Sequence, residues 1–272
     1  MAELAHLELG RFAATVHRLR HPTESPVMPA SHLPDNVLEA RRAAAHELHL
    51  ALWALNRAPS IISVGESRFT PALTIWMDVP CPTGVEPALQ LAHTRRFLRR
   101  HGVDAQADFC VAGYPRQALT FPTAADVSRL SSVIVKQLSP PNAARHRLAD
   151  AARGIGIEWL STVRYPTPQD PIIQPDDLSI GAARRLHRAL ADLSGDPTAE
   201  TQDVDEGMPN GLTAELFTAA RAHFLLYRTD EDTIRFSSIT PEAADRLAHA
   251  LTQHTRRMRA LLNTIRHGEK AS

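Results

Sequence analysis

Apolar residues recur along this chain in two rhythms, one of three and four and one of two, and the switches between them mark out its elements. Residues 2–20 place Leu9, Phe12, Val16 and Leu19 at helical spacing, and four prolines between His21 and Pro34 then forbid regular structure. The N-terminal stretch reads as a docking helix on a tether. From Asp35, the expected N-cap, to Asn56, the positions Val37, Ala44, Leu48, Leu52 and Leu55 form one apolar helical face, closed by Pro59. Two β-rich runs at 60–67 and 72–80 follow, then a helix from about Val85 to Arg100 that stops at Gly102. A second hairpin, with strands at 107–113 and 117–122, leads into a helix opened by Thr123. Its hydroxyl is placed to cap the backbone while Asp126, three residues on, reciprocates.

After the prolines at 140 and 141 the order starts again. A helix from about Asn142 to Arg153 precedes an extended run at 157–165, and residues 171–178 lead into a helix opened by Ser179. Residues 194–211 carry five carboxylates and no basic residue, the pattern of a solvated loop. Runs at 222–228 and 233–239 flank a turn, and Thr240 with Pro241 opens the last helix.

Aligned without gaps, 107–121 and 222–236 match Ala107 to Ala222, Phe109 to Phe224, Leu119 to Ile234 and Phe121 to Phe236. The helices at 179–190 and 240–251 share a cap, two alanines, Arg-Leu and Ala-Leu in one frame. The expected architecture is therefore α+β: tandem pseudo-duplicated ββα units forming two antiparallel-sheet/helix sandwiches of permuted ferredoxin-like connectivity, with N-terminal and long C-terminal helices. Three parts follow from this reading: 1–34 as helix and tether, 35–140 as the first half, and 141–272 as the second half with the acidic loop at 194–211.

The last helix is longer than its sheet requires. Leu247, Leu251, His254, Met258, Leu261 and Ile265 make a seam at alternate spacings of four and three, and a helix over 241–266 is about 39 Å long, roughly twice a typical strand. An overhanging seam needs a cover: the N-terminal helix, the other half, or a second copy of the chain.

Composition narrows the functional classes. Across 272 residues, 30 basic side chains balance 30 acidic ones, so the chain has no overall field to draw it onto nucleic acid or an anionic membrane. Lysine occurs only at Lys136 and Lys270, a codon signature of a GC-rich genome. Cys81 and Cys110 stand alone and far apart, which predicts neither a disulfide framework nor a thiolate metal site and fits a reducing cytoplasm. Charges at Glu3, Glu8 and Arg11 interrupt any export signal, and no run is long enough to span a membrane.

Motifs of chemistry are weak throughout. His46-Glu47-Leu48-His49 has its histidines three apart where a zinc protease motif needs four, and 63–67 lacks the order of a nucleophile elbow. Gly154 and Gly156 lack the third glycine of a dinucleotide fingerprint, and Asp176–Asp177 and the acids at 230–232 fit a helix start and a turn. No cofactor, metal or catalytic residue is nominated. For phosphate contacts the candidates are Arg256, Arg257, Arg259 and Arg266 on the last helix.

The expected function is that of a non-enzymatic interaction protein (adaptor, chaperone or regulator) that binds a protein partner or a second copy through the helical seam. The alternatives are nucleic-acid binding by the basic C-terminal helix and an enzyme whose site is assembled from distant segments.

Overall fold

The computed structural model describes residues 34–55, 61–65, 73–78, 86–109, 116–194, 204–229 and 232–268. The expected N-terminal helix and tether lie outside these residues, apart from Pro34. The fold is mixed α+β, with seven helices and three small antiparallel sheets among the described residues.

In the first part of the chain, helix α1 (Asp35–Ala54) precedes β1 (Ile61–Gly65) and β2 (Leu73–Asp78). Helix α2 (Pro87–Arg100), β3 (Gln106–Phe109), β4 (Arg116–Phe121) and α3 (Ala124–Val135) follow. The four strands form one sheet in the order β1-β2-β4-β3. Leu73 and Ile75 of β2 and Leu119 and Phe121 of β4 point to one side, where they pack with Leu48 of α1 and Val127 and Leu130 of α3. Pro34, not Asp35, sits at the N-cap of α1, and no side chain caps it. Asp35 instead places its carboxylate in the first turn, where the helix dipole favours it. Gly102 ends α2 in the left-handed conformation at φ 62°, and Val103 N–H returns to the Leu98 carbonyl at 3.0 Å, a Schellman closure.

The second part holds α4 (Pro140–Gly154), β5 (Ser161–Thr167), β6 (Asp170–Pro175), β7 (Leu178–Ser179), α5 (Ile180–Ser194), α6 (Val204–Ala220), β8 (Leu226–Arg228), β9 (Thr233–Phe236) and α7 (Pro241–Gly268). β5 pairs with β6, and β7, β9 and β8 form a separate small sheet. A single bridge joins the two, Ile173 to Ile239. Leu178 pairs with Ile234, five residues further along one strand and five back along the other, so both contacts belong to one antiparallel register. The side chain of Gln174 fills the break between them. Its amide donates to the Phe236 carbonyl at 2.7 Å and accepts from the Ser238 hydroxyl at 2.6 Å. Counting β6 and β7 as one interrupted strand, the neighbour order is β5-β6/β7-β9-β8, the order of the first sheet.

Three helix starts are capped as their sequences require. Thr123 accepts the Asp126 N–H at 3.3 Å while donating to the Asp126 carboxylate at 2.6 Å. Ser179 and Thr240 each accept the N–H three residues on, at 3.2 Å.

Two further expectations are corrected. Helix α6 begins at Val204, inside the stretch expected as an acidic loop at 194–211. Met208, Leu212, Leu216 and Ala220 recur every four residues and are buried, and this stripe outweighs the glycines and Pro209 around it. The ungapped match of the two hairpins also holds for one strand alone. Phe121 and Phe236 are both fully buried, but Phe109 is exposed where Phe224 is buried. Leu119 pairs with Ala107 across eleven intervening residues and Ile234 with Arg228 across five, so the second hairpin closes six residues sooner.

Buried side chains gather in two clusters, one drawn from 44–134 and one from 144–251. Helices α1 and α4 meet between them. The guanidinium of Arg145 lies 3.9 Å over the Trp53 ring, and its Nη2 donates to the Trp53 carbonyl in the last turn of α1. Arg145 is 1% exposed, and burial lowers its pKa to about 10, so it stays charged at neutral pH.

Candidate functional site

The seam expected along the last helix divides in two. Leu247 and Leu251 are fully buried and belong to the second core, which removes them as contacts for another molecule. Beyond the body, Met258, Leu261 and Ile265 are 40%, 57% and 58% exposed, and Leu262 joins them at 51%. At 3.6 residues per turn the four exposed side chains fall on the same face as Leu247 and Leu251. One apolar stripe thus passes from core into solvent along a single helix. Leu262 escapes a strict three-and-four reading because it widens the seam instead of repeating it.

Local chemistry explains why the helix persists past its support. Residues 256–267 contain no glycine or proline, and Ala260, Leu261, Leu262, Met258 and the arginines are strong helix formers. Thr255 and Thr264 satisfy their hydroxyls on the carbonyls of Leu251 and Ala260, each at 3.0 Å. Arg266 and His267 lie in the last turn, where the dipole favours positive charge.

The base of the overhang is tightly defined. Arg147 of α4 forms a two-pronged ion pair with Asp245 of α7, both contacts at 2.8 Å. About two turns further along α4, a Cβ on Gly154 would stand 3.0 Å from the Thr255 hydroxyl, so the helices run parallel and nearly touch where α4 ends. His254, also expected in the seam, is partly buried there, its Nδ1 3.4 Å from the Asp192 carboxylate at the end of α5. From Arg256 onward every residue to His267 is exposed.

The four candidate phosphate-binding arginines, Arg256, Arg257, Arg259 and Arg266, all lie on this free segment and form no ion pair with a described residue. On the helical wheel Arg257 borders the apolar stripe on one side, and Arg259 and Arg266 border it on the other. Arg256 points away from it. The result is an apolar strip with cationic margins, about 18 Å long for twelve residues at 1.5 Å each.

A shallow cleft of about 220 Å³ lies between α1, α4 and the segment that leads into β5. His46, Leu50, Ala149, Arg153, Ile157, Glu158 and Trp159 are among its lining residues. Burial lowers the pKa of His46, with Arg153 adding to the effect, so the imidazole is neutral at neutral pH. Glu47 faces elsewhere: its carboxylate accepts from Ser128 at 2.9 Å and its carbonyl from Ser131 at 3.1 Å. The His-Glu-x-His stretch is thereby split between two neighbours, α4 for the first histidine and α3 for the glutamate. No group of three or more metal-ligating side chains occurs among the described residues. No helix among them is long and apolar enough to cross a membrane.

The paired carboxylates also have structural partners. Asp177 receives Arg235 at 3.1 Å, and burial together with the neighbouring Asp177 raises the pKa of Asp176. The Asp176 backbone is held from both sides, its carbonyl by the Trp159 indole at 3.0 Å and its N–H by Leu160 at 3.0 Å. The chain matches no protein-family model, and no curated protein or solved structure is detectably similar to it.

Proposed function

We propose that this chain is a non-enzymatic interaction protein, an adaptor, chaperone or regulator, whose docking element is the free end of α7. The observation that carries the reading is the continuation of a fully buried apolar stripe into four large side chains that no described residue covers. Exposing such side chains costs roughly 25 cal/mol per Å² relative to burying them, so a contiguous exposed set marks a binding face. The mode is helix-in-groove recognition in reverse: the helix is supplied here, and the partner supplies the apolar groove or second helix. A carboxylate-bearing rim on the partner would meet Arg257 on one side and Arg259 and Arg266 on the other.

The repeated helix-hairpin-helix order and the matching neighbour order of the sheets support a duplicated, permuted ferredoxin-like scaffold as the body behind this helix. On that reading α6 and the extension of α7 are additions peculiar to the second copy, and additions to a shared scaffold are where a specific role resides.

The test is recovery of a stoichiometric partner on the immobilised full chain from its native host, compared between the wild type and a Leu261→Glu, Ile265→Glu chain. The expected result is loss of that partner in the doubly substituted chain with an unchanged melting temperature. Equal recovery from both chains refutes the reading. The arginines favour nucleic acid as a second reading, and it predicts retention on DNA that weakens steeply with salt and is insensitive to Leu261→Glu.

A further inference from the structure

The cleft between α1 and α4 presents charged groups that neither core uses. We propose that it binds a small zwitterion with an aliphatic tail, a free α-amino acid of about leucine size. Arg153 and Glu158 would hold its two charges over a floor of Leu50, Ala149 and Trp159. The site is separate from the free end of α7 and adds a small-molecule ligand to the interaction reading.

Local structure creates the cleft. Helix α4 closes where Gly156 takes the left-handed conformation at φ 75°. The Gly156 N–H donates to the Arg153 carbonyl at 2.9 Å and the Ile157 N–H to the Ala152 carbonyl at 3.0 Å. This reversal brings Glu158 back beside the helix end, so it lines the same cleft as Arg153. A Cβ on Gly156 would meet nothing within 4 Å, so glycine is required there by conformation and the rim stays open.

The floor is apolar and the rim is charged. Leu50, Ala149 and Trp159 are almost fully buried and give a fixed surface for a tail. Glu158 and His46 form no hydrogen bond or ion pair with a described residue. Arg153 donates to Asp150 through one terminal nitrogen, at 3.3 Å, and its other nitrogens donate to no described residue. The charges of Arg153 and Glu158 act on His46 in opposite directions, which places both around one imidazole. They nevertheless form no ion pair with each other. Opposite charges that face one cleft without meeting are matched by a ligand that carries both. The guanidinium offers a planar fork of donors to a carboxylate, and Glu158 and the neutral His46 accept from an ammonium.

Size and net charge set the class. At roughly 30 Å³ per water, the cleft of about 220 Å³ holds about seven waters, room for a ligand of roughly seven to ten non-hydrogen atoms. It lies below the roughly 300 Å³ at which drug-sized ligands begin. One cation and one anion on the rim favour a ligand of zero net charge, and Glu158 repels a phosphate. Since α1 contributes to the first core and α4 to the second, a ligand touching both stabilises their junction.

Calorimetric titration of the full chain tests the site with L-leucine, isocaproate and isoamylamine, the last two being leucine without its ammonium and without its carboxylate. L-Leucine should bind with a Kd below about 1 mM and raise the melting temperature. Each analogue should bind at least about tenfold more weakly, and so should leucine to the Arg153→Gln and Glu158→Gln chains. Both side chains lie at the surface, so the unliganded variants should melt with the wild type. No binding of leucine, isoleucine, valine or methionine at millimolar concentration overturns the proposal. Isocaproate binding as tightly as leucine reduces the cleft to an anion site and overturns it, as does equal binding of isoamylamine. Leucine binding that survives both substitutions lies elsewhere on the molecule and overturns it too.

Discussion

Leu251 and Leu261 stand ten residues apart on one helix, on one face, yet the first is fully buried and the second is 57% exposed. Nothing in their immediate sequence distinguishes them. What differs is the extent of the neighbours: α4 ends at Gly154 and α5 at Ser194, both level with the turn that carries His254 and Thr255. A hydrophobic repeat thus reports that a helix expects a cover, and only the lengths of the surrounding elements say where the fold provides one.

The largest expected effect breaks this comparison most directly. Leu251→Ala should cost about 2–5 kcal/mol in urea unfolding, the range for large-to-small core substitutions, whereas Leu261→Ala should cost less than about 1 kcal/mol. Similar costs at both positions would show that the two halves of α7 are equally covered.

Next in size is the clasp between the two cores. Arg145→Met keeps the stem but removes the cation over Trp53 and the donor to its carbonyl, and should cost about 1–3 kcal/mol of thermal stability with a change in Trp53 emission. An unchanged melting temperature and spectrum would mean that α1 and α4 are held by their apolar contacts alone.

Smallest is the response to acid. Burial holds His46, His146 and His187 below the ordinary imidazole value of 6.5, so the unfolded chain takes up protons before the folded one. Their contribution is complete above that value and is lost as pH falls through the folded-state pKa values. The melting temperature should therefore decline below pH 6.5, and His146→Gln should flatten the decline. A melting temperature that is level between pH 7 and pH 5 would contradict the buried-imidazole account.

The features legible in sequence were those fixed over a few residues. Thr123, Ser179 and Thr240 cap because a hydroxyl three residues before an N–H is a local geometry, and Gly102 ends its helix because a left-handed residue there disfavours a Cβ. Features that depend on distant partners were not legible. Helix α6 was hidden behind Pro209 and five carboxylates, although the recurrence of Met208, Leu212, Leu216 and Ala220 was its available signal. The six-residue difference between the hairpins depends on turn length, to which an ungapped match is blind. Arg145 gave no signal at all, since an arginine in an Ala- and Arg-rich helix looks solvated until Trp53 is placed beneath it. For the site, the sequence identified the stripe but not the point at which it leaves the body.

The contact of Gly154 with Thr255 has a mechanical consequence. It makes α7 a cantilever, clamped below by the Arg147 ion pair and free for about 18 Å above. A load on the tip turns about this fulcrum and bears on α4, whose far end grips Trp53 through Arg145. Traction on the free end of α7 is thereby transmitted to the junction between the two cores.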